Sequence, residues 1–253
     1  MLKISLVTVT YNAERTLPVT LESVLRQDYA NIEHLIIDGA SNDKTGNLAI
    51  EYLQKSDEND NGHIVKFISE HDDGIYDAMN KGLKMATGDY VCFLNAGDSL
   101  PNESTLSMII KDIHYPYPAV IYGDTDIVDE ERHFLHKRHL SPPNNLSWQS
   151  FKDGMLVCHQ AFYARRDIAQ EELYDLKYKY SADFDWCIRV MRRGEDNGLP
   201  LHNSKMVLAN YLKEGTTTNN HVASLKERYK IMQHYYGAVT TFTKHLGFIL
   251  RNI

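Results

Sequence analysis

Short apolar runs alternate with amphipathic stretches through the first half of the chain. Ile4 to Val9, Ile32 to Ile37, Ile64 to Ile68 and Tyr90 to Leu94 are rich in β-branched, aromatic and aliphatic residues. Turn-forming residues bound them, so they predict buried strands. Between them, Leu17, Leu21, Val24 and Leu25 recur at helical spacing. Ser41, Asn42 and Asp43 offer caps for a helix near Thr45 to Gln54. Gly74 opens a third helix with Ile75, Ala78, Met79, Leu83 and Ala86 on one face. Strand, helix, strand in regular order implies a parallel sheet covered by helices and joined by right-handed crossovers.

The pattern is less regular further on. It predicts a short helix near Glu103 to Asp112 and strands near Val120 to Tyr122 and Ile127 to Val128. His133 to His139 and His159 to Ala164 read as further strands, with a Pro- and Asn-rich loop from Ser141 to Trp148 between them. Phe184 to Arg193 reads as a helix ended by Gly194, and the chain is helical from Ala223 onward. The fold class is therefore α/β, with a mixed second half and a helical C-terminal tail.

Three strand ends carry polar residues that such a sheet brings to one rim. The first supplies Thr8, Thr10, Tyr11 and Asn12; the second supplies Asp38, Gly39, Ser41 and Asp43; the fourth supplies Asn95, Gly97 and Asp98. Ligands of open α/β sheets collect beyond the carboxyl ends of strands. A carboxylate there can hold a hard cation, and the cation a diphosphate. Asn95-Ala96-Gly97-Asp98 also reads as a plain turn, since all four residue types suit one. On the third helix, Asp77, Asn80 and Lys81 sit at spacings that can share a face and line a polar pocket.

Composition narrows the class. With 253 residues, 43% of them hydrophobic, the chain can bury one substantial core. A formal net charge of -7 disfavours nucleic acid as a partner, which calls for a basic footprint. Cys92, Cys158 and Cys187 lack metal-ligand spacing and read as small buried hydrophobes of a reducing cytoplasm. No signal-peptide pattern stands at the N-terminus, and no apolar stretch approaches the ~20 residues of a membrane span. The expectation is a cytoplasmic protein, free or held at the inner face of a membrane.

Five segments in this order resemble family 2 glycosyltransferases of the GT-A fold, over nearly the whole chain. They are Val7 to Asn12, Ile37 to Thr45, Glu70 to Gly82, Ala86 to Tyr90 and Phe93 to Asp98. Gly74 to Gly82 and Thr216 to Asn220 are similar to the subgroup that builds colanic acid, exopolysaccharide and O-antigen units. The resemblance implies a Rossmann-like sheet in a GT-A domain spanning 1–222. Its nucleotide-binding half would be 1–123, its acceptor half 124–222, and 223–253 a helical extension.

It also implies roles. Thr8, Thr10, Tyr11 and Asn12 would contact the nucleoside, and Asp38 beside Gly39 would accept hydrogen bonds from the base; a turn cap is the other reading of Asp38. Asp72 or its neighbour Asp73, with Asn80, Lys81, Asn95 and Ala96, would complete the nucleotide site. Asp98 would be the main ligand of Mg2+ or Mn2+, because Asn95 stands where the family's metal motif has its first carboxylate. His159 would touch metal, diphosphate or acceptor, or is a satisfied structural histidine. Asp183 would be the general base of an inverting transfer, with Asp185 its competitor; Ala182 stands where the family has Glu. Thr216 to Asn220 and His221 would close over the donor. The implied partners are a UDP- or GDP-linked sugar and a glycan or polyprenyl-diphosphate-linked acceptor. The expectation at its simplest is that Asp38, Asp98 and Asp183 gather around one cavity.

Residues 224–253 contain a single acid, Glu227, among Lys226, Arg228, Lys230, Lys244 and Arg251. Up to Gly237 the segment reads as a helix packed on the core; beyond it, as an amphipathic surface for an anionic membrane. Two rival functions remain. A sugar nucleotidyltransferase would want a glycine-rich loop after the first strand, where Thr10-Tyr11-Asn12-Ala13-Glu14-Arg15 stands instead. A non-catalytic nucleotide-sugar or carbohydrate-binding module is the other.

Overall fold

The computed structural model describes residues 1–213 and 221–251; the segment Thr216 to Asn220 expected to close over a donor, and the side chain of His221, lie outside the described residues. The first half is built as its periodicity predicts. β1 (Ile4–Thr10), β2 (Ile32–Asp38), β3 (Ile64–Ser69) and β4 (Tyr90–Phe93) pair in parallel, with α1 (Leu17–Leu25), α2 (Thr45–Glu58) and α3 (Ile75–Met85) as the crossovers. Every residue of β1, β2 and β4 is buried, while β3 alternates at the sheet edge. Central parallel strands covered on both faces need such continuous apolar runs. Gly82 lets α3 press onto β1: a Cβ there would stand 2.3 Å from Val7 Cγ1.

The second half adds β5 (Val120–Val128), β6 (Phe134–Lys137), β7 (Phe162–Arg165) and β8 (Leu201–Leu212), with α4 (Thr105–Asp112), α5 (Arg166–Ala169) and α6 (Ala182–Asp196). α7 (His221–Tyr236) and α8 (Ala238–Arg251) follow. Among the described residues a single sheet results, in the order β3-β2-β1-β4-β7-β5-β6, with β8 paired to β5. β7 and β6 are antiparallel to their neighbours, and β8 runs parallel to β5.

Several elements differ from the sequence expectation, each for a packing reason. Where two short strands were expected, β5 runs unbroken through Gly123, a position that must be small because a Cβ would meet Met206 O at 2.4 Å. β8 was not expected; its polar His202-Asn203-Ser204-Lys205 hides the strand, and its register against β5 shifts beside that stretch. α6 passes straight through Gly194, which faces Ala119 so closely that a Cβ would lie 2.4 Å from the alanine's own. His159–Ala161 is a 3-10 turn, and the strand begins only at Phe162. α7 packs on the core as expected. Ile231 and Met232 are buried, Tyr236 Oη donates to Trp148 O at 2.7 Å, and Glu227 accepts from the N–H groups of Lys179 and Tyr180. All three cysteines are buried and unpaired.

One buried carboxylate ties the parallel half together. Glu33 on β2 accepts from Ser5 Oγ of β1 at 2.6 Å and from Lys66 Nζ of β3 at 2.9 Å. Thr87, just before β4, donates its N–H at 2.8 Å and its hydroxyl at 2.9 Å. Burial alone would raise the Glu33 pKa, but these donors outweigh it and bring it down to about 2 from an ordinary 4.5. A depressed folded-state pKa gives stability that is present above the unfolded value and lost as pH falls through the folded one. Glu33→Gln should therefore lower the unfolding free energy by about 2 kcal/mol at pH 7. In a urea-denaturation series the deficit should shrink as pH drops from 4.5 toward 2.

Candidate active site

A cleft of about 850 Å3 opens at the carboxyl ends of the parallel strands. It lies where chain order reverses between β1 and β4, the place where open sheets collect ligands. Residues following β1, β2, β3 and β4 all reach its wall, and so does the end of β8.

The rim comes from the loops after β1 and β2, which are bonded to each other. Asn12 adopts φ +48°, a conformation asparagine tolerates, and its Oδ1 accepts from Asn42 N at 2.9 Å. Asn12 N donates to Ser41 Oγ at 2.8 Å, and Ala13 N to Thr45 Oγ1 at 2.8 Å. Tyr11 stands out from this frame with 63% of its surface exposed. Gly39 sits between Tyr11 and Asp72. A Cβ at Gly39 would lie 3.1 Å from Asp72 Oδ2 and 3.4 Å from Tyr11 Cδ2.

The floor is the Asn95–Asp98 segment, and both readings of it hold. It is a turn, closed by Asp98 N donating to Asn95 O at 2.9 Å with Gly97 at φ +105°. It also puts Asn95, Ala96 and Asp98 on the cleft wall. Thr20 of α1 pins it, accepting from Gly97 N at 2.9 Å and donating to Asp98 O at 2.7 Å. The Asp98 carboxylate is buried and accepts from Leu212 N at 3.0 Å and Gln160 Nε2 at 2.7 Å. Burial raises its pKa to about 7, against the opposing pull of those two donors and of Arg132. Two buried oxygens on this wall, Thr10 Oγ1 and Asn95 Oδ1, have no hydrogen-bond partner. Unpartnered buried polar atoms are rare and expensive in folded proteins.

Of the expected site residues, Thr10, Tyr11, Asn12, Gly39, Asp72, Asn95, Ala96 and Asp98 line the cleft; the others do not. Thr8 shares the face of Thr10 but lies two residues deeper, donating to Leu94 O at 2.8 Å and contacting His34 Nε2 at 2.9 Å. Asp38 is 1% exposed and acts within the β2 turn: it accepts from Ser41 N at 3.0 Å, Ser41 Oγ and Ser69 Oγ at 2.6 Å. Asn80 does not share the face of Asp77 and Lys81. It is buried and clamps Tyr174, donating to its carbonyl at 3.0 Å and accepting its N–H at 2.8 Å. Lys81 braces the wall from behind, 2.5 Å from Asp72 Oδ1 and 2.9 Å from Glu70 Oε1, and these carboxylates raise its pKa. His159 is buried among Phe93, Tyr174 and Trp186, with Nε2 2.6 Å from Tyr174 Oη; burial pushes its pKa down to about 4. Its neighbour Gln160, expected with it as a polar pair near the acceptor side, is the one that reaches Asp98.

Asp183 opens α6 and is half-buried. Its Oδ1 accepts from Tyr76 Oη at 3.0 Å and from Phe184 N at 2.9 Å. Tyr76 is bonded on either side in the chain to Ile75, which lines the cleft, and to Asp77 of α3. Asp185 is occupied elsewhere. It is buried, pairs with Arg189 Nε at 2.8 Å and accepts from Tyr235 Oη at 2.9 Å. The gathering of Asp38, Asp98 and Asp183 around one cavity is thus met by Asp98 alone on the wall.

The oxygen donors at the floor suit a hard divalent cation. Asn95 Oδ1 is buried and unpartnered beside a buried carboxylate, and such ions commonly complete their shells with substrate phosphates and water. Among the described residues one further group converges, Asp129, Glu131 and His133 on the exposed turn between β5 and β6. There Asp129 Oδ1 accepts from His133 N at 2.8 Å, which closes the turn.

Comparison with known proteins agrees with this architecture. The family model described as glycosyl transferase family 2 matches residues 5–174. The chain belongs to that family. A PGL/p-HBAD biosynthesis glycosyltransferase of Mycobacterium bovis is 30% identical over 217 residues, 85% of this chain and 78% of the relative. An amylovoran biosynthesis glycosyltransferase of Erwinia amylovora is 28% identical over 199 residues, 75% of this chain and 64% of its own. Among solved structures, S. aureus TarS residues 1–349 in complex with UDP superposes with TM-score 0.66 at 16% identity, over 96% of this chain. The chain spans 65% of that structure's length. A mannosyltransferase of Pyrobaculum calidifontis in complex with GDP-Man and Mn2+ gives TM-score 0.61 at 16% identity, over 94% and 64% of the two chains. These likenesses establish the GT-A fold, with its central sheet flanked by helices.

Gly39 offers a direct probe of the rim. Gly39→Val should leave the chain folded, read by an unchanged circular dichroism spectrum, because its φ is ordinary, while the added Cβ presses on Asp72 Oδ2 at 3.1 Å and Tyr11 Cδ2 at 3.4 Å. The same substitution should weaken nucleoside-diphosphate binding about tenfold or more, read by calorimetry.

Proposed function

We propose that this chain transfers a sugar from a UDP- or GDP-linked donor to an acceptor hydroxyl, with inversion at the anomeric carbon, in building a surface polysaccharide or glycolipid. The observation that carries the proposal is the cleft at the β1/β4 reversal, whose wall holds the buried Asp98 carboxylate beside the unpartnered Asn95 Oδ1 and Thr10 Oγ1. Relatives that carry sugar-transferase names, and solved neighbours bound to UDP and GDP-Man, support the same reading.

Tyr11, at the rim, offers a ring face to the base, while Asn12, Gly39 and Asp72 frame the ribose. Asp98 and Asn95 would hold Mg2+ or Mn2+, which when bound would supply positive charge against the diphosphate. Asp183 takes the proton of the attacking hydroxyl. Oδ1 is held by Tyr76 and the Phe184 N–H, so Oδ2 is the oxygen left for the acceptor. Asp185 is a poor alternative, since its charge is spent on Arg189. The acceptor is a glycan, or one carried on a polyprenyl diphosphate. α8 meets a membrane surface through Val239, Phe242 and Leu246, three exposed apolar side chains at i, i+3 and i+7. Exposed Lys226 and Lys230 on α7 supply charge for an anionic surface. No helix among the described residues is long and apolar enough to cross a membrane.

Asp183→Asn should reduce transfer by ~100-fold or more while nucleotide affinity stays unchanged. Retained turnover overturns the assignment of the base. Tyr76→Phe should lower kcat about tenfold with the donor KM unmoved, because it frees the carboxylate without removing it. On vesicles containing phosphatidylglycerol, Val239→Asp with Phe242→Asp should abolish flotation seen with the parent chain. Equal flotation of the two sinks the membrane contact.

A further inference from the structure

A second cavity, about 330 Å3, adjoins the cleft, and Tyr211 belongs to the walls of both. The sheet builds its floor. His136 of β6, Ile127 of β5 and Tyr211 of β8 lie side by side in register, so their side chains share one face. Arg138, His139, Leu140 and Lys213 complete the wall. Four of these seven residues are Lys, Arg or His and none is acidic, in a chain whose net charge is -7.

The basic groups sit on ordered backbone. The Arg138 guanidinium donates to Leu140 O at 2.8 Å and Met155 O at 2.7 Å, and among the described residues no carboxylate pairs with it. His136 Nδ1 is 2.9 Å from Lys137 O, and the His136 and His139 rings stand 5.0 Å apart. Lys213 follows β8 directly and is fixed by its N–H to Val128 O at 3.0 Å. Carbonyls orient the guanidinium without neutralising it, so its charge is available to an anion. The cavity is also partly apolar, through Ile127 and Leu140.

Positive charge beside apolar wall, joined through an aromatic ring to the donor cleft, fits one kind of ligand. We propose that this cavity seats the diphosphate of a lipid-linked acceptor. The first isoprene carbons lie against Ile127 and Leu140, and the acceptor sugar passes Tyr211 into the cleft. The inference rests on the sugar-transfer reading, because it assigns the second substrate of that reaction.

The test uses the full chain saturated with nucleoside diphosphate and Mn2+, so that the cleft is filled, with farnesyl diphosphate, inorganic pyrophosphate and farnesol titrated by calorimetry. Farnesyl diphosphate should bind, pyrophosphate should bind about tenfold or more weakly, and farnesol should show no heat. Lys213→Glu and, separately, His139→Ala should each weaken farnesyl diphosphate about tenfold. Both side chains are exposed, so the fold should persist, checked by an unchanged thermal midpoint. Pyrophosphate binding as tightly as farnesyl diphosphate would make this a free-phosphate site and overturn the lipid assignment. No binding of farnesyl diphosphate, or binding indifferent to both variants, overturns the site itself. Failure of the parent chain to take up nucleoside diphosphate is a separate result, and it strikes the sugar-transfer reading.

Discussion

Asp98 is the point on which the architecture of the cleft depends. A carboxylate this deeply buried is costly unless its oxygens are met by donors. Here the donors come from far along the chain: the Gln160 amide from the turn before β7 and the Leu212 N–H from the end of β8. Thr20 of α1 holds the same turn from the other side, and Arg132 from the β5–β6 connection donates to Gly97 O. The polar floor is therefore the join between the parallel half of the sheet and the antiparallel half. Removing the charge would loosen that join as well as strip the cleft of its anion.

The parallel half was legible because its strands are buried on both faces and its helices are amphipathic, so composition and period agree. The second half was harder for reasons that the packing explains. Gly123 and Gly194 read locally as breaks, yet each is small because another backbone or side chain passes within contact distance. β8 carries a polar run through the register shift beside β5, which defeats any periodic template. No local signal distinguishes a glycine that ends an element from one that lets a neighbour in.

The candidate site was legible as a set of segments more than as a set of side chains. Segments after β1, β2 and β4 did converge, yet within them several polar residues serve the frame. Asp38 caps the Ser41 turn and Asn80 clamps Tyr174. Spacing places Asn80 and Lys81 near Asp77 equally well; only the tertiary partner of α3 sends one inward and leaves the other out. The exchange of His159 for Gln160 has the same origin, since a tight turn sends adjacent residues in opposite directions. Tyr76 could have been singled out from its place next to Ile75, but its partnership with Asp183 spans 107 positions and has no sequence signature.

The bonded rim has an energetic consequence. Loops that must be ordered by a ligand charge the entropy of that ordering to the affinity. Here Asn12, Ser41, Asn42 and Thr45 have already fixed one another. The mouth of the cleft is thus a preformed template. A molecule arriving there is sorted by fit at first contact, before any rearrangement of these two loops.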